Sequence, residues 1–93
     1  MEIIQENTEK NGVFRAVENG VEAGEMTYVW AGDKKIIIDH TGVQEAFNGQ
    51  GVGKKLVLAS VAFARQNDLK ILPLCPFAKA TFQRNADIQD VLA

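Results

Sequence analysis

Apolar and polar residues alternate through the first half of the chain. Glu2-Ile3-Ile4-Gln5 opens a short strand. Asn11-Gly12 reads as a turn. Residues 13–18, Val-Phe-Arg-Ala-Val-Glu, read as a second strand, with Val13 and Val17 sharing a face with the stem of Arg15. Asn19-Gly20 follows, the dipeptide best suited to a two-residue type I′ hairpin, because both central residues need positive φ. Residues 21–30 predict a long third strand. Simple alternation puts Gly24, Met26, Tyr28 and Trp30 on one face and Val21, Ala23, Thr27 and Val29 on the other. Ala31-Gly32-Asp33-Lys34 turns the chain into a fourth strand over residues 35–41. Its Ile36-Ile37-Ile38 run predicts burial on both faces and a central place in the sheet. The same alternation groups His40 with Ile36 and Ile38, and sets Asp39, partly buried, and Thr41 on the opposite side.

The period then changes. Gln44 to Gly53 is polar and glycine-rich. From Val52 onward, Val52, Leu56, Ala59 and Phe63 recur at helical spacing, and 56–64 is apolar apart from Ser60. This predicts a helix buried against the sheet, stopped by Asn67-Asp68. Lys70-Ile71-Leu72-Pro73-Leu74 reads as a fifth strand, where Pro73 opposes a full ladder on both edges. Pro76 suits the first position of a helix running from about 76 to 84. A last helical turn follows around Ile88–Leu92. The fold class is α/β: an antiparallel hairpin sheet and a fifth strand, one main helix and short C-terminal helices.

Composition narrows the function. With 93 residues there is room for one domain, taken as residues 1–93. Twelve Asp and Glu against ten Lys and Arg give a net charge of −2, which disfavours nucleic acid as a partner. No apolar run approaches the roughly 20 residues that span a bilayer, so no membrane partner is expected. The acidic start, Met1-Glu2-Ile3-Ile4, is unlike a secretory signal. A lone cysteine, Cys75, forms no internal disulfide, and the expected location is cytoplasmic. A lone histidine, His40, excludes Cys/His zinc clusters, so no metal is expected, and it leaves a Ser-His-Asp triad a single possible base.

The segment Asn48-Gly49-Gln50-Gly51-Val52-Gly53-Lys54-Lys55 lies between a central strand and a buried helix. It is not a Walker A loop: Asn48 holds the first glycine position and Lys55 the Ser/Thr position. It is not a Rossmann fingerprint either, because counting from Gly49 ends on Lys54 and from Gly51 on Leu56. Its physics is still that of an anion cradle, with close backbone approach, unpaired helix amides and two lysines. A flexible helix entry with two solvated lysines accounts for it equally well.

The ordered run Ile38-Asp39-His40-Thr41-Gly42-Val43, then Asn48-Gly49-Gln50-Gly51-Val52-Gly53, resembles the acyl-CoA-binding motif of GNAT-type N-acetyltransferases. That motif reads Arg/Gln-x-x-Gly-x-Gly/Ala after a strand with a Thr-x-Val-like end. Gly51 and Gly53 match its small positions, and Asn48 departs from Arg/Gln. With Leu74-Cys75-Pro76-Phe77 downstream, the short chain resembles the miniature YjdJ-type branch of that fold over residues 10–92. The branch's His/Asn-Pro-Glu-Tyr segment survives here only as Asn85.

The resemblance implies a minimal GNAT-like fold whose fourth and fifth strands splay apart. It implies acetyl-CoA as cosubstrate, with an amine as acceptor. Backbone at His40, Thr41 and Val43 would pair with pantetheine amides. Asn48, Gly49, Gln50, Gly51, Val52, Gly53 and Lys54 would hold the pyrophosphate, and Cys75 and Phe77 would border the same ligand. Larger members place helices before the third strand that shape the acceptor site. Their absence here predicts an open acceptor site, or one completed by a partner, in a monomer or weak homodimer.

Each candidate has a structural alternative. Cys75, ahead of Pro76 and a helix start, is either a polarised thiol serving as acid or nucleophile, or a small buried hydrophobe. It is also a candidate redox-sensing thiol. His40 is either a general base, since an imidazole titrates near neutrality, or a hydrogen-bonded core residue. Tyr28 and Trp30 could stack on a ligand or pack in the core. Lys79 and Arg84 could meet the CoA 3′-phosphate or sit on a solvated face. The expected function is a small acyl-CoA-dependent N-acetyltransferase; the alternative is a non-catalytic CoA-binding or interaction module on the same fold.

Overall fold

The computed structural model describes all 93 residues. Five strands form one sheet in the order β1 (Glu2–Asn7), β2 (Asn11–Glu18), β3 (Val21–Trp30), β4 (Lys35–Val43) and β5 (Lys70–Pro73). The first three junctions are antiparallel. Between β4 and β5 the chain crosses over through a helix, α1 (Val52–Asn67), so that pair is parallel and the sheet is mixed. A second helix, α2 (Pro76–Arg84), and a 3-10 turn over Ala86–Val91 complete the chain.

Local signals set several boundaries. Asn19 (φ 51°) and Gly20 (φ 80°) both take the positive φ of the β2–β3 hairpin. Asp68, at φ 54°, caps the C-terminus of α1 in the left-handed region. Pro76 occupies the first turn of α2, where its missing N–H costs nothing. Asn11-Gly12, expected as a turn, instead begins β2. The turn lies just before it, where the Thr8 hydroxyl accepts from the Lys10 and Asn11 amides at 3.3 and 3.1 Å.

Two β-bulges break the alternation. Ala16 pairs with Gly24 but Val17 with Glu22, so Ala23 is the extra residue in β3. Ala23 and Gly24 are therefore both buried, not assigned to opposite faces as alternation predicts. Thr27 pairs with His40 but Tyr28 with Ile38, so Asp39 is the extra residue in β4. A one-residue slip exchanges the two faces of every residue beyond it.

Phe14, Met26, Tyr28, Ile36, Ile38 and Ile71 face α1, which buries Leu56, Val57, Val61 and Ala64 against them. Large side chains of this kind stabilise by about 1.5–3 kcal/mol each when fully buried. Both helices and the C-terminal 3-10 turn contact one another on this face. The opposite face has no covering layer. Ile37 is accordingly half-buried, and the expected burial of both faces of β4 is not met.

The β4–β5 ladder ends at Ile38–Pro73. The Leu74 and Cys75 amides then both donate to the Ile38 carbonyl, at 3.0 and 3.1 Å. Pro73 has no N–H, and Cys75 is held extended ahead of Pro76 (φ −62°, ψ 128°), so the chain leaves the sheet here. The strands splay as expected. The outer edge of β5 is closed by the chain itself: Leu92 bridges Ile71, and the Ala93 amide donates to the Ile71 carbonyl at 2.9 Å. Arg65 pins this tail through Asp90 (2.7 and 3.1 Å) and the Asp87 carbonyl (2.8 Å).

Candidate functional site

Beyond Ile38, β4 continues to Val43 bonded only to β3. Its other edge, from Asp39 onward, faces the slot left by β5 without backbone partners. Thr41, Cys75 and His40 surround this slot. Thr41 pairs with the buried Met26 and lies on the helix face, where the Cys75 thiol donates to its hydroxyl at 3.4 Å. His40 pairs with Thr27 and lies, exposed, on the uncovered face. The expected grouping of His40 with Ile36 and Ile38 is therefore incorrect, as is the placement of Thr41 on the opposite side from them. The extra residue Asp39 exchanged the two. Asp39 itself is exposed, not partly buried, and its carboxylate accepts from the Thr27 hydroxyl.

Cys75 is 6% exposed and caps the N-terminus of α2. Burial pushes its thiol up. The Thr41 hydroxyl and the amides of Ala78, Phe77 and Thr41 favour the thiolate and outweigh burial, so the net direction is down. The sulfur completes no capping hydrogen bond of full geometry; proximity to several donors carries the effect.

The glycine loop lies at the far end of the slot. Gly49 (φ 81°) and Gly51 (φ 72°) adopt left-handed conformations, and Gly51 caps α1. Asn48, Gln50 and Lys54 are exposed around them. The loop, Val43, Phe47 and Phe77 line a concavity of about 210 Å3. Val52 is part of the core, 2% exposed, and Gly53 is buried beside it. A Cβ on Gly53 would stand 2.4 Å from the Phe77 ring, so this residue gives room to an aromatic ring. Larger hollows of about 430 and 500 Å3 lie elsewhere on the molecule and include neither Cys75 nor the loop.

The other candidates lie apart. Tyr28 is fully buried in an aromatic cluster with Phe14, Trp30 and Phe63. Its hydroxyl donates to Asn7 Oδ1 at 2.7 Å and accepts from Gln5 Nε2 at 2.8 Å, and burial pushes its pKa up. Trp30 Nε1 donates to the same Asn7 oxygen at 3.0 Å. Lys79 borders a separate hollow with Leu72, Pro73 and Leu74 on the outer side of β5, and Arg84 is exposed at the end of α2. The glycine-loop concavity includes neither. Sequence patterning missed Glu22, Glu25 and Gln44, which border a cleft of about 220 Å3 beside His40. The bulges bring them there, and no local signal marks a bulge.

Comparison with known proteins agrees with this geometry. Residues 13–91 match the family model described as GCN5-related N-acetyl-transferase. The chain belongs to the GCN5-related N-acetyltransferase family. A relative, Protein NATD1 of Xenopus tropicalis, is 30% identical over 81 residues, covering 86% of this chain and 74% of that one. The solution structure of a GCN5-like protein from Staphylococcus aureus is 41% identical, with a TM-score of 0.71 over 99% of this chain and 87% of that one. The aminoglycoside N-acetyltransferase AAC(6')-Iy, solved in complex with CoA, shares the fold at 13% identity, with a TM-score of 0.65 over 89% of this chain and 88% of that one. The splayed β4–β5 pair and the glycine loop are thus features of a GCN5-related chain. No helix is long and apolar enough to cross a membrane.

Proposed function

We propose that this chain is an acyl-CoA-dependent N-acetyltransferase, moving an acetyl group from acetyl-CoA to an amine at the β4–β5 slot. The observation that carries this reading is the unpaired edge of β4 running from Asp39 toward the glycine loop at the start of α1. That edge offers free amides and carbonyls to an extended amide-bearing arm, as a missing strand would. The loop offers left-handed glycines and a helix N-terminus to a pyrophosphate. The residues present therefore fit CoA: His40, Thr41 and Val43 along the arm, Asn48 to Lys54 at the phosphates, Cys75 and Phe77 along the wall.

Bound acetyl-CoA would supply an activated acetyl thioester; the chain supplies placement and protons. Holding both reactants in one slot removes most of the entropic barrier. A free amide on β4 donates to the acyl oxygen as negative charge develops there. His40, on the uncovered face, takes a proton from the incoming ammonium, directly or through a water. The nitrogen–carbon bond forms as the carbon–sulfur bond breaks. Cys75, on the helix face, gives its proton to the departing sulfur, and the second proton of the attacking nitrogen returns to the Cys75 sulfur through water as the amide forms. The bulge at Asp39 thus separates the two proton transfers onto opposite faces of one strand. A nucleophilic Cys75, transiently acetylated, is the alternative for that residue.

Thermal denaturation with acetyl-CoA tests binding: ligand at 100 times its dissociation constant should add about 2.7 kcal/mol. No shift at millimolar acetyl-CoA would defeat the reading, and an equal shift with ATP would indicate a generic phosphate site. The uncovered sheet face, lacking an acceptor-side layer, favours a second reading as a CoA-binding module without turnover. Acetyl transfer that is lost on changing His40 or Cys75 separates the two.

A further inference from the structure

We infer that Gly42 is a positioning residue for His40: its lack of a side chain is what allows the imidazole to lie over the β4 backbone at Gly42, beside the Glu22–Glu25 cleft. The inference rests on the reading of His40 as base. Gly42 lies in mid-strand, paired with Glu25, and is not among the residues of positive φ. Its backbone therefore gives no reason for glycine, and glycine weakens a strand. The one side chain that a Cβ there would meet is His40, at 3.2 Å from Nε2 and 3.8 Å from Cε1. A methyl group at 3.2 Å forces the neighbour to give by a few tenths of an ångström.

The strand cannot be what gives. From the other side, Gly24 approaches so closely that a Cβ on it would meet the Gly42 carbonyl oxygen at 2.8 Å and Val52 Cγ1 at 3.0 Å. Gly42's backbone is thus packed closely against β3. His40 is exposed and free to turn. A side chain at 42 therefore moves the imidazole and leaves the sheet in place. Glu22 and Glu25, held by Arg15 at 2.7 and 3.0 Å, border the same cleft, and Asp39 adjoins His40 in the chain. Displacement changes the imidazole's distance to these carboxylates as well as to the slot.

The test uses Gly42→Ala, His40→Gln and the double variant, with two readouts. His40 is the chain's only histidine, so its imidazole proton resonances are assignable at once. Gly42→Ala should shift these resonances, with the melting temperature and acetyl-CoA affinity retained. Its kcat should fall on the order of threefold to tenfold, since small misplacements of a reacting group are costly. The double variant should be no slower than His40→Gln alone. Unmoved imidazole resonances in Gly42→Ala would overturn the inference, as would a loss of the same size added to that of His40→Gln. Full turnover in His40→Gln, with shifted resonances in Gly42→Ala, would remove the base and leave the positioning intact.

Discussion

The Cys75 thiol donates to the Thr41 hydroxyl across 3.4 Å, joining the end of β5 to a strand with which it no longer pairs. This contact couples the two walls of the slot; when the thiol ionises, the same hydroxyl turns to donate to the sulfur, which helps hold the Cys75 pKa below the ordinary thiol value against burial, which pushes it up.

A depressed folded-state pKa has a fixed sign. The stability it contributes is fully present above the pKa of the unfolded thiol and is lost as pH falls through the folded value. Wild type should therefore gain stability over Cys75→Ala as pH rises through the mildly alkaline range. Thr41→Val removes the hydroxyl that favours the thiolate, so the thiol should titrate at higher pH than in wild type. Ultraviolet thiolate absorbance reads both, and an unmoved midpoint in Thr41→Val would exclude Thr41 as a cause.

Turnover separates the roles of Cys75. As an acid, it should leave no acetyl adduct on the protein, and Cys75→Ser should retain more activity than Cys75→Ala, with losses steeper at high pH. As a nucleophile, it should carry an acetyl mass after incubation with acetyl-CoA alone, and both variants should be nearly inactive. The acid pattern is the expected one, because donors at the start of α2 and from Thr41 explain a polarised thiol without a covalent step.

The two loop glycines should fail differently. Gly51, at φ 72°, is strained by any side chain, so Gly51→Val should cost about 1 kcal/mol or more and weaken acetyl-CoA binding at least roughly tenfold. Gly53→Ala should act through Phe77, a residue 45% exposed, whose ring has solvent to move into. Phe77→Ala should then suppress part of the Gly53→Ala stability loss in a double-mutant cycle of denaturation midpoints. Simple additivity would show that the ring does not carry the cost.

Tyr28→Phe tests the network at the top of β1. It removes the donor to Asn7 and the acceptor for Gln5 and should destabilise by about 1 kcal/mol in urea unfolding. An equal effect in an Asn7→Ala background would show that the Tyr28–Asn7 bond contributes nothing.

What could be read from the sequence divides along a physical line. The hairpin at Asn19-Gly20, the stop at Asp68 and the helix start at Pro76 depend on the conformational preferences of one or two residues, and all three were legible. Cys75 and the glycine loop stood out because their residue types and spacing carry recognisable chemistry. The bulges at Ala23 and Asp39 were not legible, because they are decided by which residue sits across the sheet. One unseen extra residue was enough to put His40 and Thr41 on the wrong faces. Asn11-Gly12 misled for the opposite reason: the local signal was present, but the Thr8 side chain closed the turn one step earlier.

The tail that closes β5 changes how this sheet meets other molecules. Leu92 and Ala93 occupy the outer edge of β5 at Ile71, where an exposed strand would otherwise recruit a stray one. The other sheet edge, β1, carries Glu2 and Glu6, charges that discourage strand-to-strand association. Unclasping the tail, for instance by breaking the Arg65–Asp90 grip, would therefore expose a self-adhesive border, and the symptom would be loss of solubility during expression or storage rather than a slower reaction.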